Sequence, residues 1–447
     1  MHRNSVLIAG LLATAMAACG SEEDGGNEVG LNDGQGGCAG ITNCLNLDVT
    51  TDTRLAAGDW ILSPRNDGGY VTVASGVTLE IAPGTTIRGL TGAALIVPRG
   101  ARIVAEGTEA EPIVFTSAKE EGSRAGGDWG GLLILGNAPV NEPSPHFEAL
   151  PASDATGDYG GDDVADDSGI LRYVRIEFAG FTYATDKEFN ALTLCGVGNS
   201  TVIDYVQVHR GSDDGVELFG GTADLRHVIS SQNQDDGFDT DFGWSGRTQF
   251  LVVQHINGQS SDPNGYESDN RPDGQDYNAL PRTEPTIFNA TLIGSASTPT
   301  SSRGAVLRRG TAGIYGNHIF ASFKSSAVDV RDSATTQGFG ARLAVQSSVF
   351  WSNAGGVNWQ DESSGSANND NGFEEAVAFM ADALANVAVD PGLPAASTHL
   401  TAPSFQPASF LTGLTPPADG FFDTSATFIG GIGADDWTTG WASYPED

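Results

Sequence analysis

Asp213-Asp214-Gly215-Val216-Glu217-Leu218-Phe219 is followed 22 residues later by Asp235-Asp236-Gly237-Phe238-Asp239-Thr240-Asp241. The two stretches are one pattern written twice, and it extends in both directions. Upstream stands Ala191-Leu192-Thr193-Leu194-Cys195. Downstream stand Gly265-Tyr266-Glu267-Ser268-Asp269, Gly304-Ala305-Val306-Leu307-Arg308 and Ala327-Val328-Asp329-Val330-Arg331. Each unit opens on Gly or Ala, and the steps between openings are 24, 22, 28, 39 and 23 residues. A period near 22 to 24, stretched twice by insertions, fits a solenoid with one coil per repeat. The second and fourth residues of each unit are mostly apolar, while the third and fifth alternate with them. That period of two belongs to a strand with one face turned inward.

A second column of strands accompanies the first. Arg172-Tyr173-Val174-Arg175-Ile176, Asp204-Tyr205-Val206-Gln207-Val208 and Arg226-His227-Val228-Ile229 align, and 250–255, 287–292 and 343–350 continue them. Short strands punctuated by Gly and Pro also fill 77–115. No helical pattern separates the strands, so an α/β fold with helical crossovers is excluded. The expected class is all-β, a single-stranded parallel β-solenoid over 46–390 with 268–283 as its largest loop. Phe373, Val377, Met380 and Leu384 fall at helical spacing and predict one short packed helix within 373–386, capped by Asp370 or Asn371. Residues 391–447, with Trp437 and Trp441, are expected to cap the open edge of the last coil.

The N-terminus reads as an export signal. Residues 6–18 are apolar and too short to span a bilayer, and they end Met16-Ala17-Ala18-Cys19-Gly20. This resembles a bacterial lipobox, which implies removal of 1–18 and lipidation of Cys19. Gly20, where an Asp would retain the protein, implies sorting to the outer membrane. Residues 19–45 are acidic and Gly-rich and read as a flexible tether. Cys38 and Cys44 are close enough in the chain to form a small disulfide loop in an oxidising compartment, which leaves Cys195 as a buried thiol.

Charge narrows the partners. With 57 acidic and 22 basic residues the formal net charge is −35, and the only lysines are Lys119, Lys187 and Lys324. Such a surface repels nucleic acid and attracts hard cations, calcium above all. The membrane is reached through the lipid anchor, and a glycan or an outer-membrane receptor protein is the expected further partner.

Three further stretches carry a family likeness. They are Ala82-Pro83-Gly84-Thr85-Thr86-Ile87, then Ala105-Glu106-Gly107-Thr108 with Pro112-Ile113-Val114-Phe115-Thr116-Ser117, and Gly127-Asp128-Trp129-Gly130-Gly131-Leu132. With the ending Phe428-Ile429-Gly430 and Asp436-Trp437-Thr438-Thr439-Gly440-Trp441, they resemble secreted bacterial β-helix proteins of the pectate-lyase-like fold. The likeness covers roughly 46–447 and implies right-handed coils, in keeping with the general hand of parallel crossovers. It does not select a function, because that fold serves lyases, hydrolases, adhesins and surface lipoproteins.

The candidate site follows from stacking the units. The third column reads Thr193, Glu217, Asp239, Glu267, Val306, Asp329, and the fifth reads Cys195, Phe219, Asp241, Asp269, Arg308, Arg331. Asp214 and Asp236 precede two of the glycines, and Asp213 and Asp235 precede those. Coils ~4.8 Å apart would set these carboxylates in a vertical column of like charge. The expected metal ligands are therefore Asp213, Asp214, Glu217, Asp235, Asp236, Asp239, Asp241, Glu267 and Asp269, with Ca²⁺ as the ion. Solvated acids neutralised by Arg308 and Arg331 are the alternative. A carbohydrate-active enzyme is a further one: Asp239 and Asp241 as a hydrolase pair, or, by resemblance to lyases of the fold, Arg308 as base beside calcium. The anionic surface and the scarcity of lysine favour a binding or structural module. The scattered histidines are expected to be polar surface, and Trp60, Trp129, Trp244, Trp351 and Trp359 coil-packing aromatics.

Overall fold

The structure, a computed structural model, describes residues 31–184, 187–256, 258–260, 262–298, 302–359, 369–370 and 372–447. Cys19, the lipobox and Asn371 lie outside the described residues. No described helix is long and apolar enough to cross a membrane.

Parallel strands stack coil upon coil into two large sheets. One holds the predicted repeat: Leu192–Val197, Val216–Gly221, Phe238–Asp241, Asn264–Ser268, Arg303–Leu307 and Ser326–Val330, in that order. It also runs on, in the other direction, through Leu132–Leu135, Leu95–Val97 and Val71–Thr72. The other sheet has a corner in it. Arg102–Glu106 and Ile113–Ser117 are separate strands, and both pair with the single long strand Gly169–Glu177 of the next coil. Tyr173 turns that corner at φ 48°, and Tyr205, His227, Phe250, Asn289 and Asn317 repeat the left-handed conformation in the coils that follow. Each coil is thus three β segments around one continuous apolar core, which includes Leu132, Leu194, Val216, Leu218, Phe238, Tyr266 and Leu307. The aromatic corner residues stack: Tyr173 on Tyr205 at 4.4 Å and Tyr205 on His227 at 4.2 Å between ring centres.

Gly169 shows how tightly the coils meet. Its φ is 124°, and a Cβ there would lie 1.8 Å from the carbonyl oxygen of Ile103. Gly169→Ala combines left-handed strain with a backbone clash, and should cost about 3 kcal/mol or more. A urea melt that finds the variant within 0.5 kcal/mol of the parent, roughly the scatter of surface changes, would refute this close approach.

The structure moves several expected boundaries. Residues 31–45, read as tether, are folded: Leu31 is buried and its carbonyl accepts the Asn46 N–H, while Cys44–Leu45 pairs with the first full coil. The Cys38–Cys44 disulfide forms there, and Cys195 is a buried free thiol. The insertion at 136–168 is longer than 268–283. The helix within 373–386 shrinks to Glu375–Phe379, with a 3₁₀ turn at Asp382–Leu384. It buries Glu375 and Phe379, while Val377 is 72% exposed, and its N-cap residue, Glu374, makes no side-chain cap bond.

Residues 391–447 are not an end cap. They run back along the cornered sheet as a strap. Asn317 bonds to Leu414, Asn289 to Ala426 and Phe428, Gln249 to Asp423, Gln254 to Ser397 and His399, and Gln207 to Ser443. These amides belong to residues buried in the coil wall. Buried amides must find partners, and a strap supplies them coil by coil where a cap could serve only the last. His209, His255 and His318, expected at the surface, are also buried; His209 bonds to the Pro445 carbonyl at 2.9 Å. Burial lowers the pKa of His318 to about 3. Trp60, Trp129, Trp244 and Trp359 are buried aromatics, and Trp351 is 38% exposed.

Candidate metal centre

The acidic column exists in register. Glu217 lies opposite Asp239, and Asp239 opposite Glu267, on adjacent parallel strands. The Asp-Asp-Gly corners precede these strands. At Gly215 a Cβ would come 2.4 Å from Asn233 Nδ2 and Ser230 Oγ, and at Gly237 2.4 Å from Val253, so these two repeats open where a side chain barely fits. The corner carboxylates tie successive coils together: Asp214 accepts the Asp236 N–H at 2.7 Å, and Asp236 accepts the Asn264 N–H at 2.6 Å.

Seven of the nine expected ligands come together in three interlocking sets. These are Asp213, Asp214 and Asp235; Asp214, Glu217 and Asp239; and Asp236, Asp239 and Glu267. Within each set one oxygen per residue lies within 4.8 Å of the others. The Oδ1 of Asp239, a member of two sets, is buried and has no hydrogen-bond partner. Asp241 and Asp269 stand outside the sets. Asp241 accepts the Phe242 N–H at 2.6 Å, and Asp269 is paired with Arg308 at 2.8 Å and Arg309 at 2.5 Å.

These carboxylates resist ionisation. Burial, reinforced by neighbouring carboxylates, raises Asp214, Glu217, Asp236 and Asp239 well above the usual range. Asp213 is pushed to about 8 by burial, then by Asp235, Glu188 and Glu148. Burial takes Glu267 to about 7, with Arg308 opposing the rise. Hard oxygen donors whose ionisation is opposed by burial, together with an unpaired buried oxygen, could hold a metal ion.

Arg308 does not suit a base. Burial works to lower its pKa, but Glu267 and Asp269 more than reverse this and the net shift is upward. It grips both carboxylates. Glu148 and Glu188 escaped the sequence reading because they lie outside any repeat, Glu148 in the insertion at 136–168 and Glu188 in the short strand Lys187–Glu188. Glu148 also lines a cavity of about 240 Å³ with Phe147, Tyr159, Phe219 and Phe242. Phe219 is in register with Asp241, so the cavity adjoins the acidic strip.

Neither curated proteins nor solved structures yield a match to this chain. The model of a pectate-lyase-like β-helix domain does match, over residues 65–391. The corner glycines, the stacked coils and that match have one meaning: the chain belongs to the pectate-lyase-like β-helix family.

Proposed function

We propose that this protein is a lipid-anchored module of the outer membrane whose acidic strip binds a divalent cation, Ca²⁺ in the first place, and that it serves as a binding or structural element facing a glycan or a receptor protein. The lipobox-like Met16-Ala17-Ala18-Cys19 supports the anchor. The observation that carries the metal reading is the trio of interlocking carboxylate sets, two of which meet at the unpartnered Asp239 oxygen. The β-helix likeness supports the rigid body. An enzymatic role finds less support, because Arg308 is held in ion pairs.

The pH dependence of stability tests the metal reading. In chelator the folded protein keeps protons on these carboxylates that the unfolded chain releases near pH ~4. Their contribution is whole below that pH and is lost as pH rises through about 7 for Glu267 and about 8 for Asp213. The melting temperature in chelator should therefore fall between pH 5 and pH 8. Calcium should restore it at pH 8, by about 2.7 kcal/mol at a hundred times its Kd, and do little at pH 5, where protons compete. An identical melting temperature with chelator and with millimolar calcium at pH 8 would remove the proposal.

A further inference from the structure

The three carboxylate sets do not have the same surroundings. The first two share Asp214, and together they gather Asp213, Asp214, Glu217, Asp235 and Asp239. Among the described residues no basic side chain forms an ion pair with any of these five. The side chains that hydrogen-bond to them are neutral: Asn190 donates its amide to Glu217, and Ser260 its hydroxyl to Asp235. Arg308 reaches Asp235 and Asp239 by its charge alone, without an ion pair. The third set, Asp236, Asp239 and Glu267, shares Asp239 with the second and no residue with the first. Here a protein cation has arrived. Arg308 Nη2 contacts Glu267, and its Nε sits 2.8 Å from Asp269.

Two buried oxygens at the strip have no hydrogen-bond partner among the described residues. Asp239 Oδ1, at the junction of the second and third sets, is buried and unpartnered. Asn264 is fully buried on the coil after Asp236, its N–H bonded to that carboxylate, and its Oδ1 also lacks a partner. An amide oxygen and a carboxylate oxygen are both calcium ligands.

We propose that the strip is built as two adjoining cation places, the one formed by Asp213, Asp214, Glu217 and Asp235 open to a divalent ion, and the one at Glu267 held by the guanidinium of Arg308, with Asp239 between them. This rests on the reading of the strip as a divalent-cation site. Arg308 is then a specificity-determining residue. It fixes how many ions the strip takes by occupying one place with a tethered charge that no chelator removes. Val306, the next member of the outward column, ends the strip on that side with an apolar side chain.

Calcium titration by calorimetry at pH 8, with equilibrium dialysis as the count, tests this on the folded protein. The parent should bind one equivalent, and Arg308→Met two. Glu267→Gln should still bind one, because the open place does not use Glu267; Glu217→Gln should lose at least tenfold in affinity. Two equivalents on the parent, one on a folded Arg308→Met, or none on Glu267→Gln would overturn the two-place arrangement. The Glu267→Gln arm decides the matter alone if Arg308→Met does not fold. No calcium bound by any form would instead remove the underlying reading of the strip.

Discussion

Asp239→Asn is expected to weaken calcium binding at least a hundredfold and, in chelator at pH 8, to raise the melting temperature of the same protein. The two effects have one cause. Asp239 belongs to two of the three carboxylate sets, and its buried Oδ1 has no hydrogen-bond partner among the described residues. Losing a charged ligand common to both should cost about 3 kcal/mol of binding, which is the hundredfold. Without the ion, that same carboxylate is a liability. Burial and the charges of Glu267, Asp269 and Asp241 raise its pKa. At pH 8 the folded state must either hold a proton there or bear the repulsion, and the neutral amide does neither. Loss of binding with a lowered melting temperature in chelator would mean that Asp239 is an ordinary structural contact. Unchanged binding would mean that the ion sits elsewhere.

The site was legible in the sequence to the extent that it is periodic. A parallel stack converts residues 22 or 28 positions apart into neighbours, so reading Glu217, Asp239 and Glu267 down one column was enough to predict their register. Arg308 as a neutralising charge was legible for the same reason, one rung beyond Asp269. What was lost is what does not repeat. Glu148 and Glu188 reach the strip from two excursions, 136–168 and 178–191, whose paths no period describes. Asp241 follows the column pattern yet sits apart from the metal sets, because its carboxylate is drawn to the turn at Phe242. Helical spacing misled at Val377 and Met380, where the chain makes little more than one turn before Ala385 adopts φ 53°. The strap left a signal that went unread: Gln207, Gln249, Gln254, Asn289 and Asn317 recur within strands whose neighbours are apolar. Amides in a solenoid wall imply a partner running along it.

That partner sets the largest stability effect. A chain ending at Pro391 should either fail to accumulate in folded form or melt more than 10 °C below the parent. The family match also ends at residue 391, so the truncation would retain the whole matched domain and remove only what this chain adds after it. The strap buries Phe405, Phe422, Ile429, Ile432 and Trp441. At about 2 kcal/mol for each large apolar side chain, these contribute on the order of 10 kcal/mol before the ordering entropy of the segment is set against them. Removal would also uncover Val252 and Ile293, which pack against Phe405 and Ile432. The coil amides would turn to water at little cost, so the apolar loss decides the outcome. Melts of the parent and the truncated chain at one scan rate give the measurement, since a solenoid of this size need not unfold reversibly. A truncated chain with the parent's melting temperature would make the strap a passenger. A separate substitution, Trp441→Ala, should give a smaller loss of about 3 kcal/mol or more, because Trp441 is buried against the edges of Tyr173 and Tyr205. The strap would then be clamped onto the same aromatic corner that lets each long strand turn.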